Sequence, residues 1–290
     1  KVVEEWVSKK EAHVVYALAP GEYILHEEQA PTEQGYVRAE DVKFVVEETG
    51  DVQKVKMEDD HTKVSISKTD ITDGKEIEGA KLQILDQDGE VVESWTTGEE
   101  HLIEYLPVGT YTLHEEAAVD GYIVANDVEF TVEETGEIQK VKMEDERAMG
   151  QLVIVKTDTD SKAALEGVEF VLLEKETGKE VGRLKTGKDG KAVSELLPIG
   201  TYENGVFKEP ITYVLKETAT LKGYEKTEEE WEIVFTYQND KTPVIEVVKE
   251  IQNKKIPETP GTVKPGPKTG DDTNWFLPLL ALGVSAGMVA

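Results

Sequence analysis

Part of this chain is written twice. Gly21-Glu-Tyr-Ile-Leu-His-Glu-Glu-Gln-Ala30 returns as Gly109-Thr-Tyr-Thr-Leu-His-Glu-Glu-Ala-Ala118, and Phe44-Val-Val-Glu-Glu-Thr-Gly50 returns as Phe130-Thr-Val-Glu-Glu-Thr-Gly136. The stretch from Gln53 to Asp59 recurs without change as Gln139 to Asp145. The period is about ninety residues, so the chain is a tandem array of small units, each burying a core of its own. A more divergent third copy shares the landmarks. Val64-Ser-Ile-Ser-Lys-Thr-Asp70 is matched by Leu152-Val-Ile-Val-Lys-Thr-Asp158, Tyr111 to Glu115 by Tyr213 to Glu217, and Gly121-Tyr122 by Gly223-Tyr224. Copy three carries inserted residues around Tyr202 to Pro210. Copy one has no counterpart of Val64 to Asp70, so its opening strand is expected upstream of Lys1, at an N-terminus that has been cut.

Apolar and polar residues alternate with the period of two expected of half-buried strands: Val64 with Ile66, Tyr111 with Leu113, Val141 with Met143. Turn signals at Thr72-Asp73-Gly74, Gln87-Asp88-Gly89 and Lys188-Asp189-Gly190 separate these runs, and no segment keeps a helical stripe. The pattern predicts an all-β chain of sandwiches joined end to end. The expected boundaries are a partial domain at 1–60, complete domains at 61–147 and 148–254, a spacer at 255–274 and an apolar segment at 275–290.

Charge and composition exclude several functions. With 60 Asp and Glu against 32 Lys and Arg, the net charge of −28 repels a phosphate backbone, so nucleic acid is not an expected partner. The absence of cysteine removes disulfides, thiol chemistry and Cys-based metal sites. His26 and His114 share a repeat position with Glu28 and Glu116 nearby, but copy three has Lys216 and Thr218 there, so solvated strand residues are expected and no metal. The acidic stretches Asp70 to Gly74 and Asp158 to Ser161 lack the spacing and closing Glu of a calcium loop and are read as turns. No cofactor is expected.

Three kinds of ionisable residue share strand parity with core residues. Lys68 lies on the face of Val64 and Ile66, and Lys156 on that of Leu152 and Ile154. Glu27, Glu115 and Glu217 each follow a Tyr by four residues and a Leu by two. At the copy ends, Asp59 follows Val55 and Met57, Asp145 follows Val141 and Met143, and Asn253 follows Ile251. A Lys, a Glu and an Asp or Asn thus enter one core in each complete copy. An ordinary buried ion pair would also explain this placement. Burial can instead leave a neutral amine, which is a nucleophile, and a protonated Glu, which can polarise a carbonyl and shuttle a proton. The set could then join Lys to Asp or Asn as an amide, in one turnover, with water or ammonia leaving.

These residues resemble the Cna B-type or SpaA-like prealbumin-fold domains of Gram-positive surface proteins and pili. The resemblance rests on Ser67-Lys68-Thr69-Asp70 and Val155-Lys156-Thr157-Asp158, on the stretches from Glu27 to Tyr36, Glu115 to Tyr122 and Glu217 to Tyr224, and on the terminal Asp or Asn. It covers roughly residues 1 to 254. It implies intramolecular isopeptide bonds from Lys68 to Asp145, promoted by Glu115, and from Lys156 to Asn253, promoted by Glu217. Glu27 and Asp59 would serve a Lys outside this chain. The family's Ala-Pro stands at Ala30-Pro31 but is replaced by Ala118-Val119 and Thr220-Leu221.

The C-terminal residues differ in character. Pro257, Pro260, Gly261, Pro265, Gly266 and Pro267 describe an extended spacer. Pro267-Lys268-Thr269-Gly270 is similar to a sortase sorting signal of the Leu-Pro-x-Thr-Gly type, with Gly266 where Leu is usual. The charge-free run from Trp275 to Ala290 is shorter than the roughly 20 residues of a spanning helix, so a membrane segment cut short is expected, with a plain transmembrane anchor as the alternative. The resemblance implies a secreted protein of the cell wall or cell surface: a stalk, adhesin or pilin-like subunit, not an enzyme beyond its own cross-links. Its expected partners are sortase, peptidoglycan or another pilus subunit through Thr269, the membrane before sorting, and a host-matrix ligand. The alternative is a set of accessory modules of a larger secreted polysaccharide-degrading enzyme.

Overall fold

The computed structural model describes residues 1–258. Copy one holds β1 (Gly21–Leu25), β2 (Tyr36–Val37), β3 (Val42–Val46) and β4 (Asp60–His61). Copy two holds β5 (Lys63–Asp70), β6 (Lys81–Leu85), β7 (Val91–Thr96), β8 (His101–Glu104), β9 (Gly109–Ala117), β10 (Tyr122–Ile123), β11 (Val128–Val132) and β12 (Ile138–Arg147). Copy three holds β13 (Met149–Asp158), β14 (Glu169–Glu174), β15 (Glu180–Lys185), β16 (Lys191–Val193), β17 (Leu197–Pro198), β18 (Gly200–Glu203), β19 (Val206–Pro210), β20 (Thr212–Ala219), β21 (Glu230–Val234) and β22 (Val244–Asn253). The fold is all-β, as the alternation predicts. Among the described residues, no helix is long and apolar enough to cross a membrane.

Each complete copy is a sandwich of two sheets. In copy two the strand orders are β10-β12-β5-β8 and β11-β9-β6-β7. In copy three β13 pairs with β16, β17 and β22, facing the sheet β15-β14-β20-β21. Inward residues of both sheets fill the core: Val64, Ile66, Leu82, Ile84, Leu113 and Met143 in copy two, and Leu152, Ile154, Phe170, Leu215, Phe235 and Ile251 in copy three. The turn glycines Gly74, Gly89 and Gly190 all have φ between 71° and 81°, the left-handed region where a Cβ is costly.

One pairing positions the chemistry. The first and last strands of each complete copy, far apart in sequence, run parallel and adjacent. β5 meets β12 with Lys68 opposite Met143 and Asp70 opposite Asp145, and β13 meets β22 with Lys156 opposite Ile251 and Asp158 opposite Asn253. Two residues along a strand return to the same face, so each lysine and its acid or amide partner are diagonal neighbours on the inner surface.

Copy one departs from the expected pattern. Its strands form only the two-stranded pairs β1–β3 and β2–β4, and residues 50–59 carry no strand. This stretch is nearly identical to the start of β12, but no parallel first strand lies beside it among the described residues. Without a ladder for its backbone groups, the alternation alone does not make it a strand. The insertion in copy three folds as the hairpin β18–β19. The expected spacer and apolar segment lie, from residue 259 on, outside the described residues.

Candidate cross-link sites

The fold brings together the two sets of residues singled out in the complete copies. Lys68, Glu115, Asp145, Lys156, Glu217 and Asn253 are each at most 4% exposed. In copy two the Lys68 ammonium contacts Asp145 Oδ1 and lies 2.9 Å from Glu115 Oε2. The Ala125 N–H donates to the same Glu115 oxygen at 2.6 Å. Glu115 Oε1 and Asp145 Oδ2 are buried without hydrogen-bond partners. Burial raises the Asp145 carboxyl to about 7, the Lys68 charge pulling it down and Glu115 pushing it up. Asp145 therefore takes up a proton more readily than an exposed carboxyl, in direct contact with the Lys68 nitrogen.

Copy three has the same arrangement with an amide in place of the acid. The Lys156 ammonium contacts Asn253 Oδ1 and lies 3.1 Å from Glu217 Oε2. Asn253 Nδ2 donates to Glu217 Oε1 and to Thr220 Oγ1, each at 2.7 Å. The carboxamide is thus oriented with its oxygen toward the amine and its nitrogen toward the glutamate. Burial lowers the Lys156 pKa, against the opposing pull of Glu217. Phe170 lies 6.0 Å from the amine and completes the apolar wall.

Chemically, each site holds a lysine nitrogen, an acyl group and a glutamate carboxyl away from water. At the copy-two site two buried carboxylate oxygens have no partner, and such orphans are rare and costly. An amide bond would remove one Asp145 oxygen as water and replace a buried ion pair by a neutral group.

Copy one is not assembled in this way. Glu27 is half-buried and accepts the Ala39 N–H at 2.8 Å, the counterpart of the Ala125 bond, but Asp59 is exposed on the strandless stretch. The residues read as solvated or turn-forming are found in those roles. His26 and His114 pair at the surface with Asp41 and Asp127, at 2.6 and 2.7 Å. Asp70 Oδ1 accepts the Thr72 N–H, and Asp158 Oδ1 accepts those of Asp160 and Ser161.

Sequence reasoning missed two features. Thr220, noted only as a departure from Ala-Pro, holds the Asn253 amide. Asp70 is also buried and does more than turn the chain: Tyr122 donates to its Oδ2 at 2.8 Å and Arg147 at 2.6 Å. Burial works against the Asp70 charge, but the bonds from Thr72, Tyr122 and Arg147 outweigh it and hold the carboxyl below its usual range. The recurrence of Asp70 with Tyr122 as Asp158 with Tyr224 was the available signal.

The SpaA prealbumin-like fold domain matches this sequence three times, at residues 1–61, 62–147 and 150–210. The chain belongs to the SpaA family. Among solved structures, its SpaA domains are similar to the Bacillus anthracis TIE protein, with 30% identity and a TM-score of 0.52 over 82% of this chain. The chain spans 43% of that protein's length. A Streptococcal ancillary pilin is similar at 19% identity and a TM-score of 0.31, over 83% of this chain and 76% of the pilin. GBS52, the minor pilin of Streptococcus agalactiae, is similar at 20% identity and a TM-score of 0.30, over 70% of this chain and 99% of its own. No curated protein matches.

Proposed function

We propose that this chain is part of a Gram-positive surface stalk, adhesin or pilin-like subunit whose complete SpaA domains, at 61–147 and 148–254, each close one internal amide bond. The observation that carries this reading is the recurrence, at equivalent positions of two copies, of a buried lysine touching an Asp or Asn with a buried glutamate beside both.

In copy two Lys68 Nζ, once it has passed a proton to the Asp145 carboxylate it touches, attacks the resulting carboxyl. The new C–N bond forms, a C–O bond breaks, and Glu115 carries the proton from nitrogen to the departing oxygen, which leaves as water. In copy three Lys156 attacks the Asn253 carboxamide. Glu217, which touches both groups, takes the proton that the Lys156 nitrogen sheds and passes it to Nδ2; the C–N bond of the carboxamide breaks and that nitrogen leaves as ammonia. Both reactions are single events within the chain and turn over no external substrate. A covalent tie between first and last strands suits a protein without cysteine that bears load at a cell surface. The sorting-like Pro267 to Gly270 and the apolar run after it support attachment through Thr269 by a sortase, to peptidoglycan or another subunit.

Intact-mass measurement of the full chain tests the reading. The expected mass is below the sequence mass by one water and one ammonia, with Lys68→Ala restoring the water and Lys156→Ala the ammonia. Glu217→Ala should abolish the ammonia loss alone. An unreduced mass in the parent chain overturns the cross-links. For the anchor, Thr269→Ala protein that still becomes covalently bound to the wall would remove the sorting assignment.

A further inference from the structure

The loop that aims Glu115 is held from the next domain. Residues 121–125 end in Ala125, whose N–H binds the Glu115 carboxylate. Three backbone groups just ahead of it bond to copy three. Tyr202 donates its hydroxyl to the Gly121 carbonyl at 2.8 Å, Tyr237 donates to the Tyr122 carbonyl at 2.9 Å, and the Val124 N–H donates to the Asp240 carbonyl at 2.9 Å.

The inserted hairpin supplies much of this grip. Tyr202 and Phe207 lie so close to Gly121 that a Cβ there would be 2.8 Å from each, and Gly121 itself has φ of +88°. Tyr202 packs edge-on against Tyr122, and the Arg147 guanidinium lies 4.1 Å from its ring centre. At the hairpin tip, a Cβ on Gly205 would be 2.2 Å from the Glu76 carbonyl oxygen of copy two.

The other copies make the comparison informative. In copy one the Ala39 N–H holds Glu27, and the residue before it, Arg38, donates its N–H to Glu134 of copy two at 3.3 Å. There too, the loop behind the glutamate is tied to the following domain. In copy three, among the described residues, no backbone N–H donates to Glu217, which takes the Asn253 amide instead.

We propose that copy three is the positioning partner of the copy-two site: by holding residues 121–124 it aims the Ala125 N–H at Glu115, so that Lys68 and Asp145 join at full rate only with copy three folded against copy two. This rests on the cross-linking reading above. Copy three needs no such neighbour, so the array closes from its C-terminal side, copy three first and copy two after docking. Tyr202 and Tyr237 are positioning residues that touch neither reacting group.

The test uses the full chain made by cell-free synthesis and sampled over time, with each cross-link read by mass on its own proteolytic fragments. Tyr202→Phe with Tyr237→Phe keeps both rings and removes both hydroxyls. Copy-two closure should slow roughly tenfold, the size expected for two lost hydrogen bonds, and its pH profile should shift, while copy three closes at the parent rate. Closure of copy three is the internal check that the variant folds. Gly205→Ala, which lifts the hairpin tip off copy two, should slow copy two in the same direction. Parent-like rate and pH profile for copy two in both variants would overturn the proposal. A parent chain that never loses water at Lys68 and Asp145 would overturn instead the cross-linking reading beneath it.

Discussion

Lys68 and Lys156 are long amine-bearing side chains buried in the two cores, and each is matched to a different acyl partner. Asp145 titrates and Asn253 does not, so the two sites should answer differently to pH. Burial raises Asp145 above its ordinary 3.8, so the folded, unreacted domain binds a proton that the unfolded chain has already lost. A group of this kind costs folding stability as pH rises, progressively from about pH 4 to about pH 7. Lys68→Met keeps Asp145, cannot react and removes the charge that pulls the carboxyl down, so its melting temperature should fall relative to the parent from about pH 4 upward and on past pH 7; a constant difference would show that Asp145 does not titrate there. The inward lysines and glutamates were legible from strand parity, because a period of two fixes the face. Thr220 and Ala125 were not. One acts through a hydroxyl and the other through a backbone N–H, and neither signal is carried by hydrophobic patterning.

At the scale of elements, the parallel pairs β5–β12 and β13–β22 are what turn parity into proximity. Alternation showed which way each side chain points, but not that the last strand lies beside the first. That pairing is non-local and depends on the whole intervening sandwich. Asp59 illustrates the limit: its local sequence equals that of Asp145, yet it is exposed because, among the described residues, no partner strand lies beside it. Close packing across β13 gives a direct check. A Cβ on Gly150 would lie 2.2 Å from the Phe235 ring, so Gly150→Ala should destabilise copy three by about 1–3 kcal/mol, measured by denaturant unfolding. An unchanged midpoint would mean that Phe235 moves aside without cost.

For the whole molecule, the proposed cross-links would span most of each domain, since Lys68 and Asp145 are 77 positions apart and Lys156 and Asn253 are 97. Closing loops of that size would restrict the unfolded chain, and each proposed link would be worth about 4 to 5 kcal/mol by loop entropy. The double variant Lys68→Met with Lys156→Met should therefore unfold at markedly lower temperature than the parent, by calorimetry. Equal melting temperatures would mean that the links contribute nothing to stability.

The sequence by itself determined the tandem repeat, the all-β class, the inward set of Lys, Glu and Asp or Asn in the complete copies, and the lack of any thiol. These follow from periodicity and composition, which are local or additive properties of the chain. Only the tertiary structure decided which residues meet. It set Lys68 against Asp145 through a parallel ladder, left Asp59 in solvent, turned Thr220 toward Asn253, and tied the loop behind Glu115 to Tyr202 and Tyr237 of the next copy. Each depends on the distance between segments far apart in sequence, which the packing of whole sandwiches sets and no single stretch encodes.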